Sequence, residues 1–354
     1  MSFLFNVSPV KRIECASLVI AKKLLRVLLV VVASGLLSAC QWHSPEDDFI
    51  EYAARLSRVL TVTSPEAPQE QDSALPSKRH LILTIPRRSM GLIDSYALRA
   101  CGLFQIIAQK NASLGKVQDP FRDFDYQTEF LFTLNQCQKS SSLSQAQYHL
   151  LDEIKQQKYE DMMAHFHNLL LGSEAMRHQL MASLWFSDSQ EYYFDDVKQA
   201  WQALTALHTL IIKAQFDQIK PTKLVHFQEA LEKSELIGRL TYSLQRSALW
   251  LDTSSHILRS NQDKIPCGAQ RDKTRVTRLN NVLHHYYAPT IQSYTASLNR
   301  AYLNLSPFLE PVRYALNQVQ HQLALDHAFQ QFKQANLAHV NAWQSIQRRC
   351  LPQP

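Results

Sequence analysis

The sequence predicts an all-α protein of long antiparallel helical hairpins stapled by disulfides, with at most one short strand near the mature N-terminus. Only 7 of 354 residues are glycine, and long stretches lack both glycine and proline, whereas sheet architectures need frequent turns. Val197, Trp201, Leu204, Leu207 and Ile211 recur at spacings of 4, 3, 3 and 4, the stripe of a helix facing a core. Four cysteines, Cys101, Cys137, Cys267 and Cys350, fall into two pairs placed almost symmetrically about predicted turns.

The first element is a leader. Lys22, Lys23 and Arg26 precede the apolar run Val27–Leu37, which ends in Leu37-Ser38-Ala39-Cys40. A positive start, a short apolar core and small residues before a cleavage point are the layout of a secretory signal peptide. The run is too short to cross a bilayer, which takes about 20 apolar residues. Leu-Ser-Ala-Cys resembles the bacterial lipobox. That resemblance implies removal of residues 1–39 and acylation of Cys40, and several acyl chains make a stable membrane anchor. Residue 41 is Gln rather than Asp, which by the same resemblance implies the periplasmic face of the outer membrane. The alternative destination is the periplasmic face of the inner membrane.

Residues 40–78 read as a lipidated N-terminus, a short helix and a tether. Within Glu46–Leu60, Phe49, Ile50, Ala53, Leu56, Val59 and Leu60 lie near one helical face. Pro65, Pro68 and Pro76 among polar residues mark the tether. Residues 79–354 read as the helical domain. His80–Ile85 is the one candidate strand. Helices are expected over Leu92–Ala108, Phe121–Cys137, from Ser144 toward Leu171, and through the Trp201 stripe. Pro221 opens the next, with Leu224, Phe227 and Leu231 followed by Ile237, Leu240 and Leu244. A long helix over Thr274–Asn304 is expected to kink at Pro289, Pro307 and Pro311 bracket a turn, and a final helix runs to Arg349. No fixed-period repeat is present.

An even number of cysteines in an exported chain favours disulfides. In an antiparallel hairpin, residues equidistant from the turn are neighbours. The midpoint of Cys101 and Cys137 is position 119, beside Pro120, and that of Cys267 and Cys350 lies between Pro307 and Pro311. The midpoint of Cys137 and Cys267 falls inside the Trp201 helix. The expected bridges are therefore Cys101–Cys137 and Cys267–Cys350.

The formal charge of +6 includes five cations and one carboxylate ahead of Cys40, so the remainder carries only +2. That balance gives no support to a nucleic-acid partner. Arg271, Lys273, Arg275 and Arg278 read as a solvated face.

Among 14 histidines there is no His-Glu-x-x-His, and no Cys-x-x-Cys pair accompanies them. His165 and His167 diverge on a helix, as do His284 and His285. Asp161 and His165 are four apart, within helix-face reach. No Gly-x-Ser-x-Gly elbow and no glycine-rich phosphate loop occurs. No catalytic residue, metal site or cofactor is thus assigned. Tyr192, Tyr193, Phe194, Tyr286, Tyr287 and Tyr294 read as core. The most distinctive stretch is Asn111-Ala112-Ser113-Leu114-Gly115-Lys116, a polar loop between two helices tied by an expected disulfide. Asn111, Ser113, Gly115 and Lys116 form a candidate recognition loop.

The segments CGLFQIIAQKNASLGKVQDP (Cys101–Pro120) and LNNVLHHYYAPTIQSYTASL (Leu279–Leu298), with the terminal Trp343…Cys350, resemble an uncharacterised family of gammaproteobacterial lipoproteins, known as a domain of unknown function. The resemblance supplies no activity or substrate. The functional expectation is a membrane-anchored, non-catalytic envelope scaffold or binding module. Its partner would be an envelope protein, peptidoglycan or a lipid. The rival is an enzyme acting on cell-wall or lipid substrates.

Overall fold

The structure is a computed structural model describing residues 43–69, 75–87, 90–112, 119–141, 143–181, 183–268 and 270–350. Cys40 and Gln41 lie outside the described residues, as do Ser113, Gly115 and Lys116. The chain divides between Ser44 and Pro45, and Pro45–Pro354 forms one compact unit. Among the described residues every regular element is a helix. No described helix is long and apolar enough to cross a membrane.

Helix α1 (Pro45–Leu60) opens the unit. Glu46, Asp47 and Asp48 in its first turn and Arg58 in its last complement the helix dipole. It buries Phe49, Tyr52, Leu56 and Leu60 in the main core. The short helix grouped with the tether in the sequence is thus packed into the body of the protein.

Next come α2 (Lys78–Leu81) and an extended segment. The strand expected over His80–Ile85 does not form. Leu83 donates its N–H to the Asn168 side chain (2.8 Å) and accepts from the same amide (2.8 Å), so one side chain satisfies the groups that a neighbouring strand would pair.

The helix expected over Leu92–Ala108 is interrupted at Gly102, whose φ of 87° only glycine adopts freely. It becomes α3 (Leu92–Ala97), a 3₁₀ turn (Leu98–Cys101) and α4 (Leu103–Asn111). Helix α5 (Pro120–Cys137) starts where Asp119 accepts from the N–H groups of Phe121 (2.9 Å) and Arg122 (3.1 Å), with Pro120 in the first turn. Helices α4 and α5 form an antiparallel hairpin closed by Cys101–Cys137, with Cα atoms 5.1 Å apart. Under the bridge lies a separate apolar cluster of Leu98, Leu103, Ile106, Phe130, Leu134 and Leu151.

Helix α6 (Gln145–Gly172) begins with the expected Ser144, which forms a reciprocal capping box with Gln147. It is followed by α7 (Glu174–Leu180), α8 (Asp188–Ile212), α9 (Val225–Ser234) and α10 (Leu236–Ser260). The run expected from Pro221 through Leu244 is split by Glu235, whose backbone is left-handed (φ 47°). Asp125 of α5 reaches across to the start of α9 and accepts from Leu224 N (2.8 Å) and Val225 N (3.1 Å).

The C-terminal elements are α11 (Thr274–Val282), a π-helix (Leu283–Gln292), α12 (Ser293–Leu305), α13 (Glu310–Gln318) and α14 (Ala324–Cys350). Pro289 lies within the π-helix. A proline in an α-helix lacks its N–H and collides with the carbonyl four residues back. The wider π turn absorbs it without ending the helix. Pro307 sits in a 3₁₀ turn and Pro311 in the first turn of α13, as a bend between two helices requires.

Helix α14 lies between two neighbours of opposite direction. The π-helix and α12 run antiparallel to it: Tyr302 bonds Asp326 (3.0 Å) and stacks on Phe329 (3.6 Å), while Tyr287 sits 5.0 Å from the His339 ring. This is the long hairpin the sequence predicts. Helix α10 is the closer neighbour and runs parallel. Ser255 meets His339 and Arg349 meets Gln262 and Ile265, and Cys267, just beyond α10, is bonded to Cys350. The separation stays between 83 and 87 residues along the pair. Ser255 of α10 is fully buried where it meets His339, and on the same side Ala248 of α10 lies across from Ala335 and Ala338 of α14, small side chains that suit a close approach.

Candidate functional site

A cleft of about 470 Å³ opens between the stapled α4–α5 hairpin, α6 and the residues Ile85, Pro86 and Met90. Ile107, Tyr126, Phe130 and Ile154 supply its apolar wall, and Lys110, Asp123, Lys158, Asp161 and His165 its charged one. Helical periodicity assembles it. Asp123, Tyr126, Gln127 and Phe130 lie on one face of α5, and Ile154, Lys158, Asp161 and His165 follow at spacings of 4, 3 and 4 on α6.

Asp123 is the centre of the arrangement. Its Oδ1 accepts from Lys110 Nζ (2.6 Å) and its Oδ2 pairs with His165 Nδ1 (2.9 Å). Burial alone would raise the Asp123 pKa. The hydrogen bonds and charges of His165 and Lys110 outweigh it and hold the carboxyl well below the usual carboxylate range. With an ionised carboxylate on Nδ1, a neutral His165 carries its proton there and leaves Nε2 as a base. Tyr126 is pushed up to about 12, first by burial and then by the Asp123 charge, so its phenol stays protonated. Lys158 donates to Gln127 Oε1 (2.7 Å), with its ammonium 4.7 Å from the Phe130 ring centroid. Lys110 lies 5.0 Å from that of Tyr126, so aromatic faces help hold both cations in place.

The model of the family described as "Protein of unknown function (DUF3080)" matches residues 49–354. The chain belongs to the DUF3080 family. No curated protein and no solved structure matches it. The matched span contains the whole DUF3080 cleft and both disulfides, while Cys40 precedes it.

Of the candidate recognition loop, Asn111 lines the cleft at the end of α4. The sequence noticed that Asp161 and His165 share a helix face, and both do line the cleft. It missed Asp123, Lys110, Lys158 and Tyr126. The polar stripe on α6 was readable in advance, but its partners on α4 and α5 were not. His167, two residues from His165, points elsewhere, to the Leu81 carbonyl (2.7 Å).

A second polar cluster is buried where α1, α10 and α14 meet. His339 and Tyr52 have no exposure. Ser255 donates to the Leu251 carbonyl (2.6 Å), so its oxygen accepts from His339 Nδ1 (3.1 Å). His339 Nε2 is then the acceptor for Tyr52 (2.8 Å), whose oxygen accepts from Trp343 Nε1 (2.9 Å). Burial pushes His339 down to about 3, so the ring is neutral. Each group has its partner, which gives this cluster a structural role. Tyr287, His339 and Trp343 also form the floor of a groove of about 770 Å³ between the π-helix, α12 and α14. Among the described residues, no three His, Cys, Asp or Glu side chains are grouped to hold a metal ion.

Proposed function

We propose that this DUF3080 protein is a lipid-anchored binding module of the bacterial envelope, tethered through Cys40 and engaging its ligand in the cleft between α4, α5 and α6. The single observation that carries the binding role is the cleft itself, in which groups from three helices converge beside an aromatic wall. Two further features support the setting: the signal-peptide layout ending at Cys40, and two disulfides, which persist in oxidising compartments. The resemblance to gammaproteobacterial lipoproteins agrees, and Gln41 directs the product to the periplasmic face of the outer membrane. Lys110 and His165 are engaged by Asp123, while Tyr126 and Gln157 add hydrogen-bonding capacity. That lining suits a polar, amide- or sugar-bearing ligand such as a peptidoglycan fragment better than a bare acyl chain.

A photo-crosslinking amino acid at Gln157, installed in intact cells, tests this reading. The expected result is a discrete adduct that is absent when the same probe sits on the exposed α14 surface at Ser345. Identical adducts from both positions, or none from either, would refute the cleft as a binding site.

One observation favours a second reading, an enzyme acting on cell-wall or lipid substrates. Asp123 orients His165 as a general base would be oriented. The crosslinking separates the two. A catalytic site accumulates more adduct when His165→Gln blocks turnover; a binding site accumulates the same amount or less.

A further inference from the structure

Four residues separate Cys40 from Pro45, which makes five Cα-to-Cα steps, and an extended chain advances at most about 3.6 Å per step. If Cys40 carries the lipid, as proposed above, covalent geometry keeps the start of α1 within about 18 Å of the bilayer. That start is locked onto the body of the protein. Glu46 pairs with Arg246 and accepts from the indole N–H groups of Trp250 (3.0 Å) and Trp185 (3.4 Å). Phe49, one turn on, stacks on Trp185 with centroids 5.9 Å apart. Trp185, in the connection from α7 to α8, is therefore fixed beside the point where the chain enters α1. In this same connection Met181 and Leu184 are 38% and 53% exposed.

We infer that the edge presenting Met181 and Leu184 is the membrane-seating surface of the protein. Its occupant is the lipid bilayer to which the chain is tethered, and the two apolar side chains enter the boundary between headgroups and acyl chains. The tether length carries the assignment. A short linker raises the effective concentration of nearby surface against the membrane, and apolar side chains there add to the grip of the acyl chains. Ile93 on α3 and Leu337 on α14 are more exposed, at 84% and 61%, and lie on elements other than the one that carries Trp185. They serve as controls.

The test uses the full acylated protein in vesicles of phosphatidylethanolamine and phosphatidylglycerol. A bimane label is placed on Leu184→Cys, Ile93→Cys or Leu337→Cys, with nitroxide lipids as quenchers. A fluorescent amino acid at the same positions replaces the label where a further thiol disturbs the disulfides. The expected result is at least twofold stronger quenching and a blue-shifted emission at position 184 alone. Equal, water-like emission at all three positions overturns the seating surface. A shift at position 184 without vesicles overturns it in favour of a protein partner. Intact mass and vesicle flotation report acylation separately: unacylated protein that does not float refutes the anchor itself, and the seating with it.

Discussion

Asp123 joins three helices through one carboxylate, taking Lys110 from α4 and His165 from α6 while standing on α5. Replacing it with Asn keeps the shape and removes the charge, so Asp123→Asn should cost about 1–3 kcal/mol in urea unfolding at pH 7. Because the folded carboxyl is held below its ordinary value, that contribution is complete above about pH 4 and fades as pH falls further. The gap between wild type and variant should therefore close in acid; a gap constant from pH 7 to pH 3 would contradict the ion-pair account. His339 has the same acid sign for a different reason. Its folded value is about 3, so below the ordinary histidine value of about 6.5 the unfolded chain binds a proton that the folded chain refuses. Between pH 7 and 4 wild type should lose about 3 kcal/mol more than His339→Asn, measured as the change in urea midpoint. Parallel losses in the two proteins would show that this imidazole is not buried neutral.

At the scale of elements, the sequence revealed most where neighbours are joined by short connections. The α4–α5 hairpin and its bridge followed from symmetry about Pro120, and the long C-terminal hairpin from symmetry about Pro307 and Pro311. The parallel packing of α10 on α14 was hidden, because such a pair needs a long crossover and leaves no midpoint to find. Its trace is Ser255, a buried serine on α10 that reads as an ordinary polar residue until His339 of α14 is laid against it. The cleft was half legible for a related reason: the α6 stripe is local, but its partners on α4 and α5 depend on tertiary packing. Gly102 and Glu235 divided two expected helices by adopting left-handed backbone, which apolar periodicity does not register. The Cys267–Cys350 bridge ties the ends of the parallel pair. The double variant Cys267→Ser/Cys350→Ser should lose about 2–4 kcal/mol. Hydrogen exchange should quicken over the last turns of α14 while α5 stays protected. Uniform deprotection of both helices would argue against a local role for the bridge.

For the whole molecule, the anchor and the domain make separable demands. Cys40→Ser removes the proposed acyl acceptor while leaving Pro45–Cys350 unaltered. The expected outcome is loss of metabolic fatty-acid labelling with both disulfides still formed. Equal labelling of wild type and variant would exclude Cys40 as the lipid site.

The hydrogen bond from Trp343 to Tyr52 spans 291 positions and joins the first helix of the unit to the last. A nascent chain is delivered from its N-terminus, so throughout synthesis α1 and α10 wait with bare apolar flanks for residues 324–350. The part of the core that α14 shares with α1 and α10 closes only when the final helix arrives. The α4–α5 hairpin, with its own bridge and an apolar cluster whose buried members end at Leu151, has no such dependence on the last helix.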